Sequence, residues 1–485
     1  MINKKIFFIL FFLSSRFCAL AQNERAVWRM GCYLSNGHPF EMDFNSGLLE
    51  INSLLNSGLM NLSYANAGIC DKNGKLLFYT NCIYVANAHH DMMENGNDLN
   101  PGQFTDTYKR IGSIISQGAI VLPDPADTSE YYLFHSDMNT NNASSRALLV
   151  TKINISFNDG LGKVIYKNNV AYTQSLIAGQ LTAVKHANGR DWWLVLHHRE
   201  TNEYVLFLLS LNGLNPPKIQ AIGNAYIDPV YALFSPDGKK YAAIYDDGRY
   251  VDLLNFNRCT GVFSNLIHAK MPGSEKAFGC SFSTKSQLFY VSTKNNIYQY
   301  DLKAPDVEAS ITKVSTWDSI PDPDGPTFAA QQLGPDGKIY ITESGAYNLN
   351  VINFPDNIGI SCDVQQHSIS QNGRSNGTFP NYPFYNLGEV DESICDSLIN
   401  YVSTSMFDEN NIVVYPNPVN DIVNIRTNIE NGYIALYDYL GQIIVDKKLY
   451  FDSEIDLSII TKGIYLIKIR NLKTSESWIK KLIIE

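Results

Sequence analysis

The sequence is short of positive charge. Its 485 residues include 38 Lys and Arg against 48 Asp and Glu, which gives a formal net charge of −10. Residues 413–485 contain nine charges of each sign, so the acidic excess lies in the preceding part of the chain. Such a surface repels phosphate backbones and anionic lipid headgroups. The composition therefore argues against a nucleic-acid partner, while neutral glycans, cations and proteins remain open as ligands.

Long apolar runs are also lacking. The stretch Ile6–Leu13 follows Lys4 and Lys5, and it is far shorter than the roughly 20 residues that cross a bilayer. Ala19–Ala21, directly before Gln22, has the small-x-small form that signal peptidase requires. We therefore predict a cleaved signal peptide over residues 1–21 and no membrane span in the remaining chain.

No two cysteines have the Cys-x-x-Cys spacing of a metal site. The seven that follow the predicted signal peptide are Cys32, Cys70, Cys82, Cys259, Cys280, Cys362 and Cys395. In an exported protein some of them should form disulfides, and the odd number leaves at least one unpaired or bonded elsewhere. Cys259 lies in a turn and Cys280 on the next predicted strand, so we predict that these two are paired.

Catalytic templates are missing as well. Gly373–Gly377 matches Gly-x-Ser-x-Gly by letter, with His367 as the nearest histidine in sequence. A nucleophile elbow needs a helix after its serine, whereas Thr378–Pro380 follows here and cannot begin one. We therefore interpret Ser375 as a loop residue and predict no catalytic or cofactor-binding residue.

The candidate metal patterns are incomplete. His197 and His198 are adjacent on a predicted strand, so their side chains point to opposite faces, and His89–His90 has no further ligand at a His-x-x-x-His spacing. Asp124–Asp127 and Asp322–Gly325 offer hard oxygen ligands but lack the bidentate Glu of a calcium loop. The sequence predicts no metal ligand, and calcium stays open as the alternative.

What the sequence does contain is a repeat. Between Asn61 and Tyr385 an apolar strand, a polar turn and a second strand rich in Tyr, Phe, Leu and Val recur, as in Phe234–Tyr241. The period of roughly 50 residues is typical of β-propeller blades. Six copies are visible, and we predict a seventh blade that pairs Val27–Met30 with Phe379–Leu387. The predicted body, residues 22–387, is an all-β propeller with seven blades, or alternatively six.

Residues 413–485 have a different pattern. Period-two apolar runs separated by Asn, Asp and Gly turns predict a small antiparallel sandwich. Its landmarks are Tyr415, Pro416, Asn417, Pro418, Tyr437, Asp438, Gly441, Gly463, Tyr465 and Lys481. On these residues the segment resembles the type A C-terminal sorting domain of the type IX secretion system of Bacteroidota. The resemblance implies an Ig-like β-sandwich, the secretion machinery as a partner, and a secreted or outer-membrane surface location reached through the periplasm.

The body carries a second resemblance. The blocks Asp71–Asn81, Cys259–Gly261 and Gln331–Tyr340 are similar to a secreted propeller family of Bacteroidota, distantly like WD and YVTN repeats, which implies the fold and no activity. Between body and tail, residues 388–412 are acidic and rich in Ser and Asn, and they predict a linker. Cys395 in this linker could tether it to the body, with Cys362 as the nearest partner in sequence.

The 29 Tyr, 24 Phe and five Trp give the remaining indication of function. Most should pack between blades, but loop aromatics such as Tyr347 and Tyr382 could line a channel mouth and stack on sugar rings. The leading hypothesis is a secreted, non-catalytic binding protein for a glycan or protein ligand. The alternatives are a propeller hydrolase or lyase acting on polysaccharide and a structural envelope component, because a propeller fold alone does not decide function.

Overall fold

The chain divides into two compact units, Met1–Asp396 and Ser397–Glu485. The predicted signal peptide lies outside the described residues. Within the described part, no helix is long and apolar enough to cross a membrane. The computed structural model describes residues 23–31, 38–54, 60–137, 144–225, 230–245, 248–320, 328–343, 345–371, 373–374, 377–390, 393, 395, 412–427, 429–438, 442–449, 453–473 and 477–484.

The first unit contains seven antiparallel sheets in succession along the chain, here called blades 1–7. Consecutive strands pair with each other, so each blade is built from local hairpins. Blades 1–3 consist of β1 Val27–Met30, β2 Phe40–Asp43, β3 Glu50–Ser53; β4 Ala67–Cys70, β5 Leu76–Thr80, β6 Val85–Asn87; and β7 Ala119–Pro123, β8 Glu130–Ser136, β9 Ser144–Asn154, β10 Lys163–Ile177.

Blades 4–7 continue the same meander, and blade 4 has a fifth strand. They consist of β11 Thr182–Lys185, β12 Trp192–His197, β13 Glu203–Ser210, β14 Gly213–Leu214, β15 Lys218–Ala221; β16 Tyr231–Phe234, β17 Lys240–Tyr245, β18 Tyr250–Asn257, β19 Val262–Lys270; β20 Ala277–Phe282, β21 Leu288–Thr293, β22 Asn296–Asp301, β23 Thr312–Thr316; and β24 Phe328–Leu333, β25 Ile339–Glu343, β26 Asn348–Ile352, β27 Val364–Ser370. Within the described residues, the helical segments are α1 Gln103–Tyr108 and the 3-10 turns Asn23–Arg25, Asn158–Gly160 and Gly359–Cys362.

Polar turns join the first and second strands of the blades. In blade 2, Asp71 Oδ1 accepts hydrogen bonds from the backbone N–H groups of Asn73 and Lys75, at 2.8 and 2.9 Å. Gly74 has a φ of +83°, and Gly238 has +68° in the corresponding turn of blade 5. Glycine adopts this left-handed conformation without a Cβ clash. In blades 2 and 5 the Asp and Gly residues therefore reverse the chain after the inner strand.

Apolar side chains fill the interfaces between successive blades, including the interface that joins blade 7 back to blade 1. The rings of Trp28 in blade 1 and Tyr340 in blade 7 have centroids 6.0 Å apart. Phe78 in blade 2 and Tyr131 in blade 3 meet at 5.5 Å. Each blade thus buries its two faces against its neighbours. The body is a closed β-propeller, and the prediction of seven blades is confirmed.

The predicted closure by pairing of the chain ends was wrong. Strand β1 pairs with β2, and residues 379–387 form no strand. A hairpin to β2 closes a short loop, whereas pairing with the far end of the body would close a much longer one at a larger entropic cost. Strand β1 runs antiparallel to its neighbour β4. Two contacts show this direction: Cys70 Sγ lies 3.9 Å from the Val27 carbonyl, and Asn66 Nδ2 donates to the Arg29 carbonyl at 2.8 Å.

The described residues of the second unit form a three-stranded and a four-stranded sheet. Alternate residues of these strands point inward, and Ile425, Ile434 and Ile467 are among the fully buried members of its separate core. The strands are β28 Val413–Tyr415, β29 Ile422–Arg426, β30 Gly432–Tyr437, β31 Ile443–Leu449, β32 Ser453–Asp456, β33 Gly463–Asn471 and β34 Ser477–Ile484.

Candidate functional site

The segment from Thr378 to Val390, here called the axial arm, lies in the centre of the ring. Asn381 Nδ2 donates hydrogen bonds to the carbonyl oxygens of Ala119 and Leu181, at 2.8 and 2.9 Å. The backbone N–H of Asn381 donates to the Asn66 carbonyl at 2.8 Å. The three acceptors lie at the starts of the inner strands of blades 3, 4 and 2. One asparagine therefore ties the arm to three neighbouring blades.

Two tyrosines of the arm extend this attachment. The Tyr385 hydroxyl donates to the Val121 carbonyl at 2.9 Å, and its ring centroid lies 5.6 Å from that of Trp192. Burial holds the pKa of Tyr385 well above its usual value. The Tyr382 hydroxyl donates to the Val27 carbonyl at 2.9 Å. Tyr382, which the sequence suggested as a loop aromatic for ligand stacking, is a channel residue bonded to blade 1.

Arg25 closes the remaining side of the channel. Its guanidinium lies 4.6 Å from the centroid of the Phe384 ring and donates to the Leu333 carbonyl at 2.5 Å. Burial lowers the pKa of Arg25 to about 10. The cavity left between the arm and the inner strands is about 30 Å³, far below the roughly 300–1,000 Å³ of pockets that hold organic ligands. The arm therefore fills most of the axis.

The arm leaves the ring on the face that carries the turns between the first and second strands, here called the exit face. Arg258 donates through Nη2 to the carbonyl oxygens of His186 and Gly388, at 3.1 and 2.6 Å. The backbone N–H of Val390 donates to the Ala187 carbonyl at 2.8 Å. Arg258 therefore clamps the arm between blades 4 and 5.

A disulfide joins Cys259 to Cys395, with Cα atoms 5.7 Å apart, just beyond the end of the arm. The predicted pairing of Cys259 with Cys280 was therefore wrong. Cys280 is fully buried on β20 in the interface with blade 5, whereas Cys259 lies in a turn on the exit face. Among the described cysteines Cys280 and Cys362 are free, so the suggested link from Cys395 to Cys362 was also wrong.

A cleft of about 610 Å³ opens on the exit face beside the disulfide, here called the exit cleft. Its volume lies within the range of ligand pockets. Two turns of blade 5 form its floor and sides, and Val390 and Ser393 form the remaining wall. The polar side chains that line it include Asp237, Lys239, Lys240, Asn255, Asn257 and Thr260.

The polar groups of the exit cleft are only partly used by the protein. Lys240 Nζ donates to Asn255 Oδ1 at 3.2 Å. Asn257 Oδ1 accepts hydrogen bonds from the N–H groups of Cys259 and Thr260, at 2.9 and 3.1 Å, which fixes the turn. The side chain of Lys239 is exposed and has no partner among the residues that the structure describes. The cleft thus presents ammonium and carboxamide groups to solvent.

The paired histidines take part in local hydrogen bonds. His198 Nδ1 lies 2.8 Å from Glu203 Oε2, and its Nε2 lies 2.9 Å from the Tyr172 hydroxyl. His197 Nδ1 lies 2.6 Å from the carbonyl of His198. Burial lowers the pKa of His197 and of His90 to about 4. Within the described residues, no group of three His, Cys, Asp or Glu side chains could hold a metal ion.

His135 on β8 is fully buried. Its Nδ1 lies 3.1 Å from Asn100 Oδ1, and its Nε2 lies 3.1 Å from Thr151 Oγ1. Burial lowers the pKa of His135 to about 3. The imidazole is therefore neutral at physiological pH and serves as a hydrogen-bonded part of the core.

The acidic turn considered for calcium is occupied by the protein itself. Asp124 forms an ion pair with Lys152 and accepts a hydrogen bond from the Ala126 N–H at 2.8 Å. Asp127 Oδ1 accepts from the N–H and the hydroxyl of Ser129, at 2.8 and 2.7 Å. Both carboxylates shape the turn between β7 and β8.

Other residues singled out in the sequence are scattered. Ser375 and Asp322–Gly325 lie outside the described residues. The guanidinium of Arg374 lies 5.0 Å from the centroid of the Tyr347 ring. His367 Nε2 lies 3.4 Å from Asp318 Oδ1. Of the described residues, neither the Arg374–Tyr347 pair nor His367 lines the exit cleft.

In the second unit, Asn417 attaches the Tyr-Pro-Asn-Pro segment to the last strand. Its Nδ2 donates to the Lys481 carbonyl at 2.7 Å, and its Oδ1 accepts from the Ile483 N–H at 2.9 Å. The backbone N–H of Val419 then donates to the Ile483 carbonyl at 2.8 Å. The two prolines Pro416 and Pro418 flank this attachment and have no N–H to donate. The landmark asparagine thus links the first and last segments of the unit.

The other landmarks of the tail stabilise turns. The Tyr465 hydroxyl, on the strand that begins at Gly463, donates to the Thr461 carbonyl at 2.7 Å. Asp438, which follows Tyr437, accepts from the Gln442 N–H at 2.8 Å. Gly441 lies outside the described residues. The roles of these residues in sorting stay predictions.

The geometry defines a β-propeller with its axis filled by its own chain, followed by a small two-sheet unit. Residues 413–485 match the family described as the secretion system C-terminal sorting domain. The tail is therefore a sorting domain of the type IX secretion system, as the sequence predicted, and the protein is secreted to the cell surface or the exterior. No curated relative matches the chain.

Several solved structures resemble the body. A putative 6-phosphogluconolactonase from Bacteroides uniformis is 13% identical, with 73% of this chain and 98% of that chain covered and a TM-score of 0.45. A protein from Lactobacillus plantarum is also 13% identical, with 73% and 99% covered and a TM-score of 0.44. The Dos1 propeller is 11% identical, with 63% and 73% covered and a TM-score of 0.37. At these values the likeness carries no functional argument.

Proposed function

We propose that the secreted body is a non-catalytic binding protein that takes a glycan or protein ligand on an outer surface of the propeller. The observation that carries this proposal is the filled axis. A ring whose channel is occupied by its own residues from Thr378 to Val390 has its faces and rim left for contact with other molecules. The body then serves as a rigid platform that holds its surface loops in fixed positions.

The buried groups with shifted pKa values are not placed for catalysis. Catalytic groups have shifted pKa values in a cleft that substrate can reach. His135, Tyr385 and Cys280 owe their shifted pKa values to burial inside blades or in the channel. A substrate has no access to these positions while the propeller is folded.

The proposal is tested with the full-length secreted protein and a panel of polysaccharides and surface proteins. We expect a rise in Tm with at least one ligand, because a ligand that binds only the folded state stabilises it, and no change in the size of the polysaccharide. Release of shorter sugars would overturn the non-catalytic assignment. Absence of any binding together with loss of envelope integrity in a deletion strain would favour the structural alternative.

The contact with the type IX machinery is tested separately. We propose that Asn417 and its neighbouring landmarks form the part of the tail that the machinery reads. Deletion of residues 413–485 should leave the body in the periplasm, which fractionation and surface proteolysis would reveal. Normal surface delivery of the truncated chain would refute the role of the tail in export.

A further inference from the structure

Among the residues that the structure describes, those lining the exit cleft carry more positive than negative charge. They include Lys239, Lys240 and Arg258 and one carboxylate, Asp237, in a chain whose acidic excess is ten charges. The Asp237 carboxylate already accepts hydrogen bonds from the Ser235 hydroxyl and the Lys239 N–H, at 2.6 and 3.0 Å. We propose, on the basis of the binding function above, that this cleft holds the acidic group of a glycan, such as the carboxylate of a uronic acid.

The two lysines are the groups that would contact the anion. Lys239 is exposed and without a partner in the described structure, and Lys240 has one neutral partner, Asn255. A carboxylate would turn these contacts into charge-assisted hydrogen bonds, which are about twice as strong as neutral ones. Arg258 is committed to the carbonyl oxygens of His186 and Gly388. The charge of Arg258 would attract the anion from a distance, while its hydrogen bonds hold the arm that forms the cleft wall.

The remaining lining groups suit a sugar. The carboxamides of Asn255 and Asn257 and the hydroxyls of Thr260 and Ser264 line the same cavity. Carboxamides and hydroxyls both donate and accept hydrogen bonds, and the hydroxyls of a sugar ring do the same. A carboxylate flanked by hydroxyls therefore matches the lysines and their neutral neighbours together.

The surrounding charge limits which anions can bind. A densely charged polymer such as a nucleic acid would be repelled by the acidic excess of the chain as a whole. A polysaccharide with one carboxylate on each ring, separated by neutral hydroxyls, places a single charge in the cleft at a time. The same cationic pair could accept the sulfate of a sulfated glycan, which shares this chemistry.

The wall formed by Val390 and Ser393 is held by the disulfide. Cys395 follows this wall by two residues, donates its N–H to the Ser393 hydroxyl at 3.2 Å, and is bonded to Cys259 of the opposite wall. The disulfide therefore ties Cys395 to the opposite wall, and such a constraint reduces the ordering cost of binding.

The test is calorimetric titration of the full-length secreted protein with oligogalacturonate, its methyl ester, and a sulfated oligosaccharide. The methyl ester keeps the sugar hydroxyls and removes the charge. We expect about tenfold weaker binding of the ester and about tenfold weaker binding of oligogalacturonate by the Lys239→Gln, Lys240→Gln double variant, since each loses a charge-assisted contact. Lys313→Gln, an exposed lysine on blade 6, is the matched control and should bind like the parent protein.

The outcomes separate the inference from the proposed function. Equal affinity for oligogalacturonate and its ester, or binding that is unchanged in the double variant, would overturn the acidic cleft and leave a glycan-binding function standing. Tighter binding of the sulfated oligosaccharide, lost in the double variant, would support the cleft and identify sulfate as the anion. If the folded parent protein bound none of the three oligosaccharides, the proposed anion site in the cleft would be refuted. Binding of a protein partner would still support the proposed function.

Discussion

The channel and the exit cleft are both lined by polar groups, and they differ in what satisfies those groups. In the channel, Asn381 and Tyr385 are matched by backbone carbonyls of three blades. In the cleft, Lys239 projects into solvent and the lining carboxamides are only partly used. Buried polar groups cost stability unless they are paired, whereas exposed ones are hydrated and can exchange water for a ligand.

The difference teaches that polarity alone does not mark a binding site in this protein. A polar residue in the channel supports the ring, and a polar residue in the cleft is available to another molecule. Substitutions in the channel should therefore lower stability, and substitutions in the cleft should lower affinity. The predictions below test this division, from the largest expected change in the free energy of unfolding to the smallest.

Tyr385→Ala should lower the free energy of unfolding by about 4 kcal/mol, because removal of a buried aromatic ring leaves a cavity beside Trp192. Tyr385→Phe is the matched control, since it keeps the ring and removes only the hydrogen bond to Val121; it should cost about 1 kcal/mol. Urea unfolding of the full chain measures both. Equal and small effects would mean that the arm is not part of the cooperative core.

Cys395→Ser should cost roughly 3 kcal/mol, because the disulfide joins residues 136 positions apart and restricts the unfolded chain. Cys259→Ser should have the same effect, and the double variant should be no worse than either single one. Cys280→Ser tests the rejected pairing of Cys259 with Cys280. It should leave unchanged the difference in electrophoretic mobility between the reduced and the oxidised protein. A disulfide that persists in Cys395→Ser would contradict the observed connectivity.

Lowering the pH from 7 to 5 should cost about 2 kcal/mol through His135 alone. Its pKa falls from about 6.5 in the unfolded chain to about 3 in the fold, so the unfolded state binds the extra proton. The stabilisation is complete above pH 6.5 and is lost progressively as the pH falls towards 3. His135→Gln should flatten this part of the pH profile of unfolding, and an unchanged profile would contradict burial of a neutral imidazole.

Lys239→Gln should change the free energy of unfolding by less than about 0.5 kcal/mol, as is usual for exposed side chains that make no contacts. The same substitution is expected to weaken ligand binding, so stability and affinity respond separately. Thermal unfolding without ligand is the measurement. A large loss of stability would show that the cleft, like the channel, is a structural feature.

The sequence predicted the parts of the fold that repeat. The strand-turn-strand units and their Asp and Gly residues, such as Asp71 and Gly74, carry the period of the blades, and the landmarks around Asn417 identified the tail. The axial arm was missed because a segment with no strand or helix has no sequence period. The hydrogen bonds of its side chains form only when the blades surround it. The same applies to Tyr382, whose partner Val27 lies at the opposite end of the body.

The disulfide was predicted incorrectly for a related reason. Nearness in sequence favoured Cys280, yet alternation along β20 turns that side chain into the core, and the arm brings Cys395 back to blade 5. The exit cleft was also missed, although Lys239 and Lys240 follow the turn of a blade that the repeat identified. No local pattern shows that a second turn and the arm complete the cavity.

The disulfide between Cys259 and Cys395 also protects the axial arm from force applied to the tail. Blades 6 and 7 and the axial arm lie inside the covalent loop that it closes. A pull on the tail during export is carried by the sulfur bridge to the turn of blade 5, so the tension bypasses the hydrogen bonds of the arm. Cutting the chain beyond Cys395 would leave the arm seated for the same reason. The axial arm should therefore stay in the channel both when the tail is pulled during export and when the tail is cleaved off.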